Sequence, residues 1–150
     1  MPSDSNDMFR KILVALDTSA SDLELLPAVR ELGSMMHSEV LLVHVADGWA
    51  ARNFDQLNLA GSEEMCEDWK YLEETASAFR DETQLTVNIH LALGDPSTAL
   101  LKVAEEAGVD LIALASHGHR LIGDIIHGST IDALRHKATV PLFIVPPKRG

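Results

Sequence analysis

Residues 110–147 decide the fold. An apolar run, Leu111-Ile-Ala-Leu-Ala115, leads into Ser116-His117-Gly118. After nine further residues, Gly128-Ser129-Thr130 opens a short helical pattern that ends before Val140-Pro-Leu-Phe-Ile-Val145. This order predicts a strand, a loop, a helix N-terminus and a second strand. Glycines at a strand end let the backbone approach a ligand closely, and the amides that open a helix attract anionic oxygens. The stretch therefore predicts a phosphate cradle in a nucleotide-type pocket.

The remaining chain alternates between the two kinds of hydrophobic pattern. We expect strands at Lys11–Leu16, Val40–Ala46 and Val87–Leu93, and helices from Ser19–Asp22 to about His37, at Glu63–Glu82 and at Ala99–Gly108. Gly94-Asp95-Pro96 predicts a turn, 47–62 a loop with one turn of helix at most, and Pro27 a shifted start or a kink in the first helix. Because each crossover contains a helix, the five strands should be parallel, which makes the fold class α/β.

The longest predicted helix carries one apolar stripe. Its members are Met65, Trp69, Leu72, Ala76 and Phe79, at alternating spacings of four and three residues. Too few heptads are present for a coiled coil, so we expect this stripe to pack against the sheet.

Composition narrows the function classes. A chain of 150 residues, 46% hydrophobic, suits one domain, and a formal charge of -11 argues against general binding to nucleic acid or to an anionic membrane. The single cysteine, Cys66, forms no internal disulfide, and the sequence shows neither a signal segment nor a membrane-length apolar run. We expect a cytoplasmic protein. Arg120, Arg135 and Lys137, with several histidines, make the region around the loop less acidic than the rest, which suits a phosphate ligand.

Four pieces of the chain, in order, resemble the universal stress protein family. They are Lys11-Ile-Leu-Val-Ala-Leu-Asp17, Leu41-Leu-Val-His-Val45, Gly94-Asp95-Pro96 and Val140–Val145. Ala115-Ser-His-Gly118, nine residues and Gly128-Ser129 are similar to the family's ATP-binding glycine signature, with Ala115 in place of the first glycine. The resemblance implies an open Rossmann-like sheet, of the adenine nucleotide alpha hydrolase-like type, with strand order 3-2-1-4-5 and helices on both faces. It covers a domain at 9–147. From its polar composition we expect a flexible N-terminus at 1–8, and a C-terminal tail at 148–150.

The resemblance also implies a set of ligand-binding residues. Asp17 is expected to accept hydrogen bonds from ribose hydroxyls or adenine, the Val45 backbone to read the adenine edge, and Ala15 to lie under the base or sugar. Capping of the first helix is the alternative role of Asp17, and ordinary core packing is that of the other two. The expected cradle around the phosphates comprises Ala115, Ser116, His117, Gly118, His119, Arg120, Leu121, Gly128, Ser129, Thr130 and Ile131.

The residues favour binding over catalysis. No Gly-x-x-x-x-Gly-Lys-Ser/Thr run is present, so the cradle works mostly through backbone amides. Asp17, Asp124 and Asp132 are candidates to help hold Mg²⁺ with the phosphates, but spacing assigns no water-positioning base, so we expect at most slow hydrolysis. The spacing of His117, His119, His44 and His127 does not guarantee a metal site, and we expect none.

The leading hypothesis is a regulatory, ATP-binding stress-response protein. AMP and cyclic AMP are alternative ligands; a slow ATP hydrolase and a nucleotide-free member that acts through protein contacts are alternative functions. Val140–Val145 would form an apolar sheet edge, and the resemblance suggests a homodimer through this strand. The alternative is a monomer whose edge is protected by Pro141 and Pro146-Pro147.

Overall fold

The computed structural model describes residues 8–47, 58–116 and 128–146, in which strands and helices alternate. The elements are β1 (Lys11–Leu16), α1 (Asp22–Met36), β2 (Glu39–Asp47), α2 (Asn58–Thr83), β3 (Val87–Gly94), α3 (Pro96–Ala107), β4 (Leu111–Ala115), α4 (Gly128–Lys137) and β5 (Leu142–Val145). None of the described helices is both long and apolar enough to cross a membrane. The predicted terminal segments lie outside the described residues except for Met8, and the predicted domain boundaries stay a prediction.

The five strands form one parallel sheet in the order β3-β2-β1-β4-β5. The predicted α/β class and strand order are confirmed. Ala15 of β1 lies opposite Val43 of β2 on one side and Leu114 of β4 on the other. The chain reverses its direction of winding between β1 and β4, so the carboxyl ends of these two strands meet at the switch point of the sheet.

Each face of the sheet is covered by a pair of helices. On one face, Leu25 and Val29 of α1 and Leu72 and Phe79 of α2 pack against β-strand residues such as Val14. The other face is covered by α3 and α4, whose buried residues include Leu100 and Leu134. Burial on both faces explains why the central strands are continuous apolar runs.

The helices α2 and α3 and the strand β5 begin at residues other than those predicted. Helix α2 begins at Asn58, within the predicted loop, and β5 begins at Leu142 because Pro141 lacks the N–H that a ladder needs. The predicted turn at 94–96 consists of the last residue of β3, the N-cap Asp95 and the first residue of α3. The Asp95 carboxylate accepts hydrogen bonds from the Thr98 N–H at 3.1 Å and from its hydroxyl at 2.9 Å. Pro27 lies inside α1, which runs on to Met36.

The predicted stripe of α2 is correct in its C-terminal half and wrong at Trp69. Leu72, Ala76 and Phe79 are buried, whereas Trp69 is 42% exposed. One turn before Leu72 the position that faces the sheet is occupied by Asp68, which approaches His44 of β2. The periodicity alone did not reveal this, because the inward residue there is a carboxylate.

Candidate functional site

The candidate site lies at the carboxyl ends of β1, β2 and β4. Ala15 and Val45 are buried in the core cluster that α3 and α4 cover, and Ile131 of α4 packs against the same cluster. Ala115 is buried on the opposite face, among residues that contact α1 and α2. The structure therefore brings Ala15, Val45 and Ile131 to one side of the sheet and places the Ala115 side chain on the other.

Asp17 follows β1 directly and is buried, with 6% of its surface exposed. Its carboxylate accepts a hydrogen bond from the Ser19 hydroxyl at 3.1 Å. Thr18, between them, has a φ of 56°, in the left-handed region that costs a non-glycine residue about 1–2 kcal/mol. A tight, strained turn thus carries the acidic residue that the sequence singled out.

A second buried carboxylate, Asp22, holds this turn in place. It accepts hydrogen bonds from the N–H groups of Asp17 and Thr18, both at 2.9 Å, and from the Tyr71 hydroxyl at 2.6 Å. Burial raises the pKa of Asp22 above its ordinary value of 3.8, and the nearby Asp17 charge adds to the rise; the three hydrogen bonds oppose it. Burial and the adjacent Asp22 raise the pKa of Tyr71, so its hydroxyl stays protonated and donates.

Sequence reasoning placed Asp22 at the start of the first helix and gave Tyr71 no role. The structure places Ser21 at the N-cap of α1, without a side-chain cap bond, and turns the Asp22 carboxylate back toward β1. Asp22 and Tyr71 are 49 residues apart in sequence, and no local pattern could have paired them.

Helix α4 begins at Gly128, after β4 along the chain, and its N-terminus is the second part of the candidate site. Its first turn carries no acidic residue, whereas the first turn of α1 carries Asp22 and Glu24. The positive end of the α4 dipole is therefore not neutralised from within its own first turn. Thr130, in this turn, is 7% exposed, and Gly128 and Ser129 precede it.

Ser116 connects β4 to β5. Its N–H donates to the carbonyl of Val145 at 2.9 Å, so this amide extends the sheet instead of pointing at a ligand. His117, Gly118, His119, Arg120 and Leu121, which were predicted to wrap the phosphates, lie outside the described residues. So do Asp124 and His127, named above as candidates for Mg²⁺ and for a histidine-metal site.

His44, considered above as a metal ligand, is committed to other groups. It is 2% exposed, and its Nδ1 donates to the Leu16 carbonyl at 3.0 Å, because a carbonyl only accepts. Its Nε2 lies 3.6 Å from an Asp68 carboxylate oxygen. Burial raises the pKa of Asp68, and His44 counteracts that rise. Among the described residues no group of three or more His, Cys, Asp or Glu side chains converges to hold a metal ion.

A cavity of about 260 Å³ lies at the amino ends of the strands, opposite the candidate site. It is lined by the ends of α3 and α4 and the residues that precede β4 and β5, among them Gly108, Lys137 and Val140. In parallel α/β sheets, ligands bind beyond the carboxyl ends of the strands. The cavity lies at the amino ends, so its volume does not make it the better candidate.

The model of the Universal stress protein family matches residues 8–146. This chain belongs to that family. It is 27% identical to the universal stress protein MJ0577 of Methanocaldococcus jannaschii, over 95% of this chain and 98% of the relative. It is 30% identical to universal stress protein A homolog 2 of Coxiella burnetii, over 93% and 96% of the two chains.

Two solved universal stress protein structures share the fold and contain nucleotides. One is a universal stress protein in complex with cAMP, with TM-score 0.68 and 15% identity over 95% of this chain and 100% of that one. The other, from Archaeoglobus fulgidus, is in complex with dAMP, with TM-score 0.68 and 22% identity over 92% and 98%. At these identities the likeness shows the universal stress protein fold alone.

Proposed function

We propose that this protein binds an adenine nucleotide, with ATP as its ligand, and acts as a regulatory module in a cytoplasmic stress response. One observation carries the proposal. At the switch point between β1 and β4, the buried Asp17 lies at the end of β1, and the acid-free first turn of α4 follows β4 along the chain. Such a switch point is where open parallel sheets bind nucleotides.

The charges of the two parts of the site suit different parts of the nucleotide. Asp17 is an anion that accepts hydrogen bonds and repels phosphate, so it suits the ribose hydroxyls. The amides that open α4, at Gly128, Ser129 and Thr130, suit the phosphates. A carboxylate offers about four acceptor positions, so the bond from Ser19 is compatible with bonds to a sugar.

The base would then lie against the face that α3 and α4 cover. Ala15 and Val45 reach that face at the ends of β1 and β2, with Ile131 on the same side. We propose that the Val45 backbone reads the adenine edge and that Ala15 lies beneath the base or sugar. Residues 117–121 complete the proposed phosphate cradle.

Ligand identity is the finer part of the proposal. The cAMP and dAMP complexes of two relatives with the same fold support an adenine ligand and keep AMP and cyclic AMP as alternatives to ATP. We propose that Mg²⁺ is held chiefly by the phosphates of ATP, because Mg²⁺ usually keeps several waters and takes only one or two carboxylates from a protein. We propose a binding protein with at most slow hydrolysis.

The proposed active form is a homodimer through β5. This strand is the last in the sheet order, and Ile144 presents an apolar side chain that is 37% exposed. Apolar strands at a sheet edge tend to pair with another copy, which covers both their unpaired backbone groups and their side chains.

Isothermal titration of nucleotide-stripped protein tests the binding proposal. ATP with Mg²⁺, AMP and cyclic AMP are titrated into the wild type, Gly128→Asp and Thr139→Asp. The first variant adds a carboxylate at the proposed phosphate site, and the second adds the same charge at an exposed position near the opposite edge.

We expect saturable ATP binding by the wild type and Thr139→Asp, weakened about tenfold or more in Gly128→Asp by like-charge repulsion. If cyclic AMP binds more tightly than ATP, cyclic AMP replaces ATP as the proposed ligand. Absence of binding by all three nucleotides, or undiminished binding by Gly128→Asp, would contradict the proposal.

A further inference from the structure

The strained turn at Thr18 needs an external restraint, and the structure shows which groups supply it. A β-branched residue with a φ of 56° relaxes unless its surroundings hold it. Two peptide N–H groups flank the Asp17 Cα, those of Asp17 and Thr18. Both donate to one carboxylate, that of Asp22. The bonds fix the peptide planes from which the Asp17 side chain projects.

Asp22 is itself fixed from a third element. The Tyr71 hydroxyl of α2 donates to Oδ2 of Asp22, the same oxygen that accepts from the Thr18 N–H. With 1% of its surface exposed, Asp22 is shielded from bulk water. The end of β1, the start of α1 and the middle of α2 are therefore joined at one carboxylate.

A helix cap alone does not account for this arrangement. A capping carboxylate accepts from amides of its own helix, as Asp95 does from Thr98, whereas Asp22 reaches back to the two amides that precede the helix. Ser19 then fixes the other end of Asp17 by donating to its carboxylate. Both the backbone and the side chain of Asp17 are thus restrained.

We propose that Asp22, held by Tyr71, is a positioning residue that aims the Asp17 carboxylate at the ribose hydroxyls of the bound nucleotide. The inference rests on the proposed function and adds the residues that set its sugar specificity. A hydrogen bond from a hydroxyl to a carboxylate is strong only in good geometry, so a small rotation of the turn weakens recognition of ribose more than that of base or phosphate.

The test compares ATP with 2′,3′-dideoxy-ATP, which lacks both ribose hydroxyls. The quantity measured is the ratio of the two dissociation constants, for the wild type and for Asp17→Ala, Asp22→Asn and Tyr71→Phe. Asp22→Asn places an NH₂ group among three donors and removes an acceptor. Tyr71→Phe removes one hydroxyl and leaves the two amide bonds to Asp22, so it remains informative where Asp22→Asn does not fold.

Phe79→Leu is the matched control for destabilisation. Phe79 lies on α2, as Tyr71 does, and is 1% exposed in the core. A variant that merely loosens α2 lowers the melting temperature without altering the preference for ribose. Ser19→Ala and Ser19→Thr complete the set, because threonine restores the hydroxyl that reaches Asp17.

We expect the wild type to prefer ATP about tenfold or more, the preference that hydrogen bonds to a charged group supply. Asp17→Ala abolishes the preference, and Ser19→Thr and Phe79→Leu retain it. Asp22→Asn, Tyr71→Phe and Ser19→Ala reduce it severalfold. A wild type that binds ATP while Tyr71→Phe keeps the full preference would overturn the positioning role and leave the nucleotide function standing. A wild type that binds neither nucleotide would overturn both proposals.

Discussion

At the scale of single residues, Ala115 is where this chain departs from the family's glycine signature. It lies at the end of β4, opposite Val145, and it is not among the residues with positive φ. Ala115 is 8% exposed, and it packs in the core under α1 and α2, on the other face of the sheet from Ala15 and Val45. Glycine at this position is therefore not required by the local backbone.

Replacing Ala115 with glycine should restore the signature without improving the site. We expect Ala115→Gly to lower the free energy of unfolding by about 1–2 kcal/mol, from lost burial and added chain entropy. ATP affinity should stay within about threefold, because the methyl group faces the other layer. Urea unfolding and titration measure the two quantities. A gain in affinity of an order of magnitude would show that the methyl group obstructs the nucleotide.

Asp22 gives stability a pH dependence of known sign. Its pKa in the folded protein is raised, so the proton binds more tightly to the folded than to the unfolded chain. The contribution to stability is fully present below the unfolded value near 3.8 and is lost as pH rises through the folded value.

The free energy of unfolding of the wild type, minus that of Asp22→Asn, should therefore decrease as pH rises from about 4 toward neutrality. The subtraction removes the carboxylates that both proteins share. Urea unfolding at a series of pH values measures this difference in free energy. A difference that grows with pH would refute burial as the dominant influence on the pKa of Asp22.

At the scale of elements, most of the strand and helix order could be predicted because each element has its own local signal. Continuous apolar runs indicated strands buried on both faces, and the repeat of Leu72, Ala76 and Phe79 indicated the buried side of α2. The pattern failed where a polar pair replaces apolar packing. His44, on the α2 side of β2, meets Asp68, and that leaves Trp69 largely outside the core.

The candidate site was predictable in part for a similar reason. Asp17 follows the end of β1, and Ala15 and Val45 lie within the last three residues of their strands. The carboxyl ends of strands converge in any parallel sheet. Tyr71 and Asp22 approach only through the packing of α2 beside α1, which no short-range pattern encodes. Sequence spacing likewise could not show that the Ser116 N–H donates a hydrogen bond to the Val145 carbonyl.

Helix α3 provides a test of capping at its start. The pKa of Asp95 is lowered, chiefly by the N–H and hydroxyl of Thr98 and also by the hydroxyl of Ser97. Asp95→Ala should reduce the free energy of unfolding by about 1 kcal/mol at neutral pH, and Asp95→Asn by much less, because asparagine caps about as well. Since a depressed pKa adds stability above the unfolded value, the effect of Asp95→Ala should shrink below a pH of about 4. Equal losses in the two variants would mean that capping is not the cause.

At the scale of the whole molecule, β5 predicts the oligomeric state. A carboxylate at position 144 would be desolvated in a strand-to-strand interface, so Ile144→Asp should convert the proposed dimer to a monomer. Leu23→Asp is the matched control, because Leu23 is 74% exposed on α1. Analytical ultracentrifugation distinguishes the monomer from the dimer. A wild type that sediments as a monomer, or an Ile144→Asp protein that stays dimeric, would contradict the interface.

The central claim is that the nucleotide binds at the carboxyl ends of β1 and β4. Amide chemical-shift mapping during an ATP titration tests this claim most directly. The account predicts saturable shifts at Ala15–Ser19, Ala115–Ser116 and Gly128–Ile131, with little change at the opposite edge around Gly108 and Val140. Shifts concentrated at that opposite edge, or no shifts at saturating ATP, would contradict it.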